Sequence, residues 1–202
     1  MELTLTGINV AVLLTDGFEQ VEYTGPRDAL EQQGAALKVI SLRKGEVQGM
    51  HHHDQGDMFR VDLLFSEADP KSFDMLLLPG GEQNGATLRD SPEAQAFVHA
   101  FEEDGKPIAA ICHGGWVLAA AGLVQGRRMT SWESLQDDFR KAGANWVDEE
   151  VVVDGNLVTS RKPDDIPAFN KKMVDVMFQR LAAHTAGTSE DRRHRSSVGF
   201  GG

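Results

Sequence analysis

The chain has 202 residues and a single cysteine, Cys112. A lone thiol excludes an internal disulfide and any cysteine-rich zinc site. Positive charge is scarce as well: 20 Lys and Arg stand against 31 Asp and Glu, a formal net charge of -11. That balance excludes a broad nucleic-acid surface or a patch for anionic membranes, since both need a positive field. No apolar run approaches the ~20 residues of a membrane span. The opening "MELTLTGINVAVLLTDG" lacks the basic flank and small-residue cleavage site of a secretory leader. "GFEQVEYTG" lacks the Gly-Lys-Ser/Thr ending of a phosphate loop. With one unpaired thiol, the expected location is the cytoplasm.

What is present is an alternation of short apolar runs and amphipathic stretches. Strands are predicted over "INVAVLL", "ALKVISL", "FDMLLLPGG" (to Pro79), "PIAAIC" and "RRMTSW". Helices are predicted over "VEYTGPRDALEQQG", "SPEAQAFVHAFEEDG", "GGWVLAAAGL", "ESLQDDFRKAG" and "DDIPAFNKKMVDVMFQRLAAH". The second of these carries its own punctuation: Ser91 to cap, Pro92 at the first position and Gly105 to stop. "EEVVVDGNLVTS" reads as a hairpin turning at Asp154-Gly155. Near-continuous apolar strands alternating with helices predict an α/β fold, a doubly wound, mostly parallel sheet with helices on both faces. Residues from about Leu42 to Asp74 break that rhythm and read as an excursion with small added strands. Residues 1–184 are expected to form one α/β domain. The polar, glycine-rich residues 185–202 are expected to be a disordered tail.

In open parallel sheets, ligands bind at the carboxyl ends of the strands. Those ends present Asp16 and Glu19 in "TDGFEQ", glycines in "LPGGEQN", Cys112-His113-Gly114-Gly115, and Thr130-Ser131-Trp132. The run A-I-C-H-G from strand to helix has the form of a nucleophile elbow. A tight turn flanked by small residues pushes the side chain above the sheet edge, and the backbone N–H groups that follow can hold an oxyanion. The helix N-terminus is expected to favour thiolate relative to the ordinary thiol pKa of about 8.5. The competing reading is a small buried hydrophobe.

Taken together, "AAICHGGW" after "GKP", "LLLPGG", "DGFEQVE" and "VDEEVVVDGNLVTSRKPDDIPAFN" resemble the PfpI/ThiJ family, from roughly Gly7 to His184. The resemblance implies a flavodoxin-like, class I glutamine amidotransferase-like sandwich that assembles as a homodimer or higher homo-oligomer. It implies Cys112 as nucleophile and His113 as its neighbour. Glu19 is implied as the acid against the thiol, and Gly81 with the backbone at His113 as the oxyanion site. It further implies a stress-response hydrolase with no cofactor and no metal, acting on small carbonyl compounds or modified protein side chains as a deglycase or glyoxalase. The alternatives are a PfpI-type cysteine peptidase or amidase, and a thiol redox sensor or stress chaperone without turnover. One departure bears on the peptidase: Gly85 and Ala86 stand where relatives carry the Asp or Glu that orients the histidine. A glutaminase-type triad lacks its residue too, because no histidine lies between His113 and His184.

Two other features remain. The histidines of "HHHDQGD" (His51 to Asp57) cannot converge on one ion from consecutive positions, so His52 is assigned to subunit contact or substrate access rather than to a metal. Trp132 either lines the pocket or packs as an ordinary buried aromatic.

Overall fold

In the computed structural model, which describes residues 4–197 and side chains over 4–183, β1 (Asn9–Leu13) runs through the middle of a seven-stranded sheet. Gly17 turns the chain into the two-residue β2 (Phe18–Glu19) and helix α1 (Gln20–Gln32), which ends where Gly34 takes φ +94°. β3 (Ala36–Ser41) returns parallel to β1. The irregular segment that follows folds into the hairpin β4 (Glu46–His51) and β5 (Asp54–Arg60), then the short β6 (Leu63–Leu64). β7 (Met75–Leu78) leads to α2 (Glu82–Arg89) and α3 (Pro92–Glu103). β8 (Ile108–Ile111) passes through a 3-10 turn, Cys112–Gly115, into α4 (Trp116–Ala120). Then come β9 (Arg128–Met129), α5 (Gln136–Lys141), β10 (Asn145–Trp146), the hairpin β11 (Val151–Asp154) and β12 (Leu157–Ser160), and α6 (Ile166–Ser197).

The main sheet has the order β11-β12-β8-β7-β1-β3-β6. Every neighbouring pair is parallel except β11 with β12. Period-2 alternation sorts its apolar side chains into two cores. Val10, Val12, Met75, Leu77 and Ala109 face Leu30 of α1 and Phe169 and Met173 of α6. Ala11, Leu13, Leu76, Leu78 and Ala110 face Phe97 and Phe101 of α3 and Phe139 of α5. Strands buried on both sides are what the unbroken apolar runs require. Ser91 Oγ accepts from Ala94 N–H at 3.1 Å and Gly105 stops α3 at φ +58°, matching the predicted punctuation.

Three expectations change. α2 has no counterpart in the sequence reading, because its cap is Gly81 with no side-chain hydrogen bond and Gly85 interrupts its pattern. "RRMTSW" does not join the main sheet; β9 pairs with β10, and β12 takes the place beside β8. The β11–β12 hairpin pairs Asp154 with Leu157, so its two-residue turn is Gly155-Asn156, one position later than read. Part of the expected disordered tail, residues 198–202, lies outside the described residues. No helix among the described residues is long and apolar enough to cross a membrane.

Candidate active site

The carboxyl ends of β1, β7 and β8 meet on one edge of the sheet, beside the point where the strand order reverses. Cys112 stands at the end of β8 with φ +60°. A β-substituted residue in that left-handed region costs about 1–2 kcal/mol, a strain the surrounding glycines make tolerable. A Cβ on Gly114 would lie 2.0 Å from the Leu78 carbonyl oxygen, and one on Gly80 2.7 Å from Cys112 Cβ. The turn therefore lies flush on the end of β7, and the sulfur receives the backbone N–H groups of Gly81 and His113.

Asn84 holds the Pro79-Gly80-Gly81 corner. It is fully buried, and its amide uses all its hydrogen-bonding capacity. Oδ1 accepts from Thr15 N–H at 2.8 Å and Thr15 Oγ1 at 3.0 Å. Nδ2 donates to Pro79 O at 3.0 Å and Gly80 O at 3.1 Å. One side chain thus ties the end of β1 to the corner that aims Gly81 N–H at the sulfur.

The carboxyl beside the thiol belongs to Glu22, not to Glu19. Glu22 lies in the first turn of α1 and is fully buried. Its Oε2 accepts from Gly80 N–H at 2.8 Å. Its Oε1 has no well-formed hydrogen bond, and the side chain that acts on this carboxyl is Cys112. Burial foremost, then the nearby Glu19 charge, pushes Glu22 up to about 8, so it is protonated at neutral pH. Glu19 turns to the β4–β5 hairpin instead, where its Oε2 accepts from His52 N–H at 3.0 Å. The reason is local: β2 pairs with β4, placing Glu19 opposite Met50, and only the first helical turn swings the chain back under the sulfur. A signal for this existed. Glu22, Pro26 and Leu30 recur every fourth residue and are all buried, so Glu22 shares the inward face of α1.

The thiol differs from expectation. Burial, and then the Glu22 charge, raise Cys112 well above an ordinary thiol, and the Gly81 and His113 N–H groups offset only part of this. The turn at Cys112 is four residues of 3-10 helix rather than the start of a long α-helix, and the side chain is only 7% exposed. Desolvation of the charged form therefore outweighs the dipole. His113 is the nearest side chain able to accept a proton from the thiol. Its Nδ1 lies 3.3 Å from Sγ, and burial lowers its pKa, with Glu82 opposing, so it is neutral and able to accept the thiol proton. Its ring stacks on Trp132, with centroids 6.0 Å apart and planes at 27°, and meets Trp116 at 5.9 Å. Among the described residues no carboxylate hydrogen-bonds this imidazole. Gly85 explains part of that: a Cβ there would sit 2.7 Å from His113 O, so α2 packs directly on the elbow.

Cys112, His113, Glu22, Glu19 and Trp132 line one cleft of about 510 Å³, with Glu82 on its wall. His52, with φ +57° at the hairpin tip, borders it. His51 and His53 are exposed, and among the described residues no group of three or more His, Cys, Asp or Glu is placed to hold a metal.

A flavodoxin-like sheet carries a strained cysteine on a tight strand-to-helix turn, between two backbone N–H donors and a buried protonated carboxyl. Residues 8–176 match the DJ-1/PfpI family, and the chain belongs to that family. It is 41% identical over 170 residues to "Deglycase TK1284" of Thermococcus kodakarensis, spanning 84% of this chain and 99% of that protein. It is 43% identical over 169 residues to "Putative cysteine protease YraA" of Bacillus subtilis, spanning 83% and 97%. Among solved structures, the ThiJ/PfpI domain protein of Brachyspira murdochii superposes with a TM-score of 0.79 at 30% identity, covering 86% of this chain and 98% of that one.

Proposed function

We propose that the protein is a cysteine-dependent hydrolase of reactive carbonyl compounds or of their adducts on proteins, working as a homo-oligomer in the cytoplasm without a cofactor. The observation that carries this reading is the pairing of Cys112 with a buried carboxyl that keeps its proton up to about pH 8. With methylglyoxal, His113 Nδ1 takes the thiol proton as Sγ bonds to the aldehyde carbon. Gly81 and His113 N–H hold the developing alkoxide, and Glu22 protonates it to a hemithioacetal. The Glu22 carboxylate then takes the proton from C1 while the His113 imidazolium protonates the C2 oxygen, giving an enediol. Glu22 returns its proton to C2, and the C1 hydroxyl proton passes to His113 as the thioester forms. C1 is oxidised and C2 reduced within one molecule. Water hydrolyses the resulting thioester to lactate and frees the thiol. The relatives named deglycases support this assignment.

The relative named a putative cysteine protease keeps a second reading open for the same thiol. Peptide hydrolysis needs an oriented imidazole, and here two indoles rather than a carboxylate hold His113.

The test is lactate formation from methylglyoxal in thiol-free buffer. Cys112→Ala is expected to abolish it, Glu22→Gln to lower kcat by about 100-fold or more, and Glu19→Gln to change it by less than about tenfold. Undiminished turnover in Cys112→Ala would overturn the reading. Peptide cleavage by wild type with no lactate formed would transfer the assignment to the peptidase.

A further inference from the structure

The cleft over Cys112 has a definite charge. Glu19 and Glu82 stand on its walls, whereas the buried Glu22 carboxyl beside the thiol keeps its proton at neutral pH and adds no charge. Among the described residues, its lining includes no lysine or arginine. The cations nearest in sequence are engaged elsewhere. Arg89 lies over the Trp116 ring at 4.3 Å and pairs with Asp90. Arg161 is held by Asp148 and Asp165, and Lys162 by Asp164. Glu82 has no ion-pair partner among the described residues, is exposed at the start of α2, and is close enough to His113 to act on its charge. Glu19 keeps only the neighbouring His52.

From this we infer that the cleft selects substrates by charge: it admits neutral and cationic carbonyl compounds and disfavours carboxylate-bearing ones such as α-keto acids or thiol adducts of acidic peptides. The inference rests on the carbonyl reading for its substrates, but the selection itself belongs to the cleft. A fixed charge beside a narrow, weakly screened cleft acts over several ångströms and biases both encounter and binding.

The single cysteine makes the test specific, since any thiol reagent that modifies this chain reports on Cys112. Two methanethiosulfonates of similar size are used, one bearing an ammonium and one a sulfonate. In each case the Cys112 sulfur attacks the sulfenyl sulfur, a mixed disulfide forms, methanesulfinate leaves, and the thiol proton passes to solvent. The ratio of the two rate constants is divided by the same ratio for a free N-acetylcysteine amide. The expected value for wild type is about tenfold or more in favour of the cation. Glu82→Gln is expected to lower it by about threefold, whereas Glu103→Gln, a carboxylate at the far end of α3, is expected to leave it within the scatter.

A normalised ratio near one, failure of the ammonium reagent to react, or an equal fall in Glu82→Gln and Glu103→Gln would overturn the inference, the last because the whole molecule's negative charge would then be the cause. Lactate formation is scored on the same preparations. Turnover of neutral methylglyoxal without charge selection sinks the inference and leaves the function standing. Charge selection without turnover does the reverse.

Discussion

Glu22 and Cys112 sit together without either being stable as an anion, and that defines what each does. Burial lifts both, and each negative charge would raise the other further. Removing the carboxyl charge should therefore lower the thiol pKa even as it removes the proton donor. In Glu22→Gln, the midpoint of Cys112 alkylation by iodoacetamide against pH is expected to move down while lactate turnover falls. A downward shift accompanied by faster turnover would mean that Glu22 only suppresses the thiol. The same carboxyl links stability to pH. Its reference pKa is 4.5 and its folded value is about 8. Between these values the folded state binds more protons than the unfolded one, so stability falls as pH rises. The stabilising protonated form is fully present below pH 4.5 and is lost as pH passes 8. Glu22→Gln should accordingly gain stability relative to wild type as pH goes from 5 to 9, by on the order of a few kcal/mol, read as a growing difference in Tm. A Tm difference independent of pH would show that Glu22 does not titrate in this window.

At the level of elements, the site depends on how closely the end of β8, the Pro79-Gly80-Gly81 corner and α2 approach one another. Gly80, Gly85 and Gly114 allow that approach, and Asn84 locks it. Asn84→Ala would leave the buried Thr15 N–H without its acceptor and the Pro79 carbonyl without its donor, while Gly80 O keeps only Glu19 N–H, at a cost of about 2–4 kcal/mol, readable from the urea midpoint. Because the corner aims Gly81 N–H at the sulfur, kcat should fall further than KM rises. A loss of stability with unchanged kcat would make Asn84 a purely structural group. Restoring an acid by Gly85→Asp is not expected to build a triad, since its Cβ would meet His113 O at about the 2.7 Å separation of the glycine site and push α2 away.

Over the whole molecule, chemistry and cohesion occupy opposite ends of the sheet. At the amino ends of β8 and β12, Arg127 binds Glu102 of α3 at 2.8 Å, the Asp154 carbonyl at 2.6 Å and Asn156 Oδ1 at 2.9 Å. Asn156 Nδ2 in turn donates to Glu102 and to Lys106 O, each at 2.9 Å. This partly buried network joins the β11–β12 hairpin to the helix layer. Arg127→Met should cost about 2–4 kcal/mol in urea unfolding while leaving the Cys112 reaction rate with iodoacetamide within about twofold. A large change in that rate would mean the two ends of the sheet are coupled.

The sequence by itself determined the parallel sheet, because strands such as MLLL, IAAI and NVAVL have no polar face to give to water. It determined the elbow too, since only small residues around Cys112-His113 permit so tight a turn. The α3 boundaries were legible in Ser91, Pro92 and Gly105 because capping is local chemistry. Tertiary structure decided which carboxyl meets the thiol, the chain itself offering only the shared face of Glu22, Pro26 and Leu30 on α1. Glu19 and Glu22 are one helical turn apart, and the pairing of β2 with β4, set by residues some thirty positions away, turns one outward and the other in. It also decided the sign of the thiol's shift, because desolvation depends on how completely neighbouring elements cover Cys112. Whether β9 or β12 lies beside β8 was likewise a contest between distant strands. Capping and turn chemistry act over three or four residues and can be read along the chain, whereas burial and cross-strand pairing are set by whatever the rest of the fold brings near.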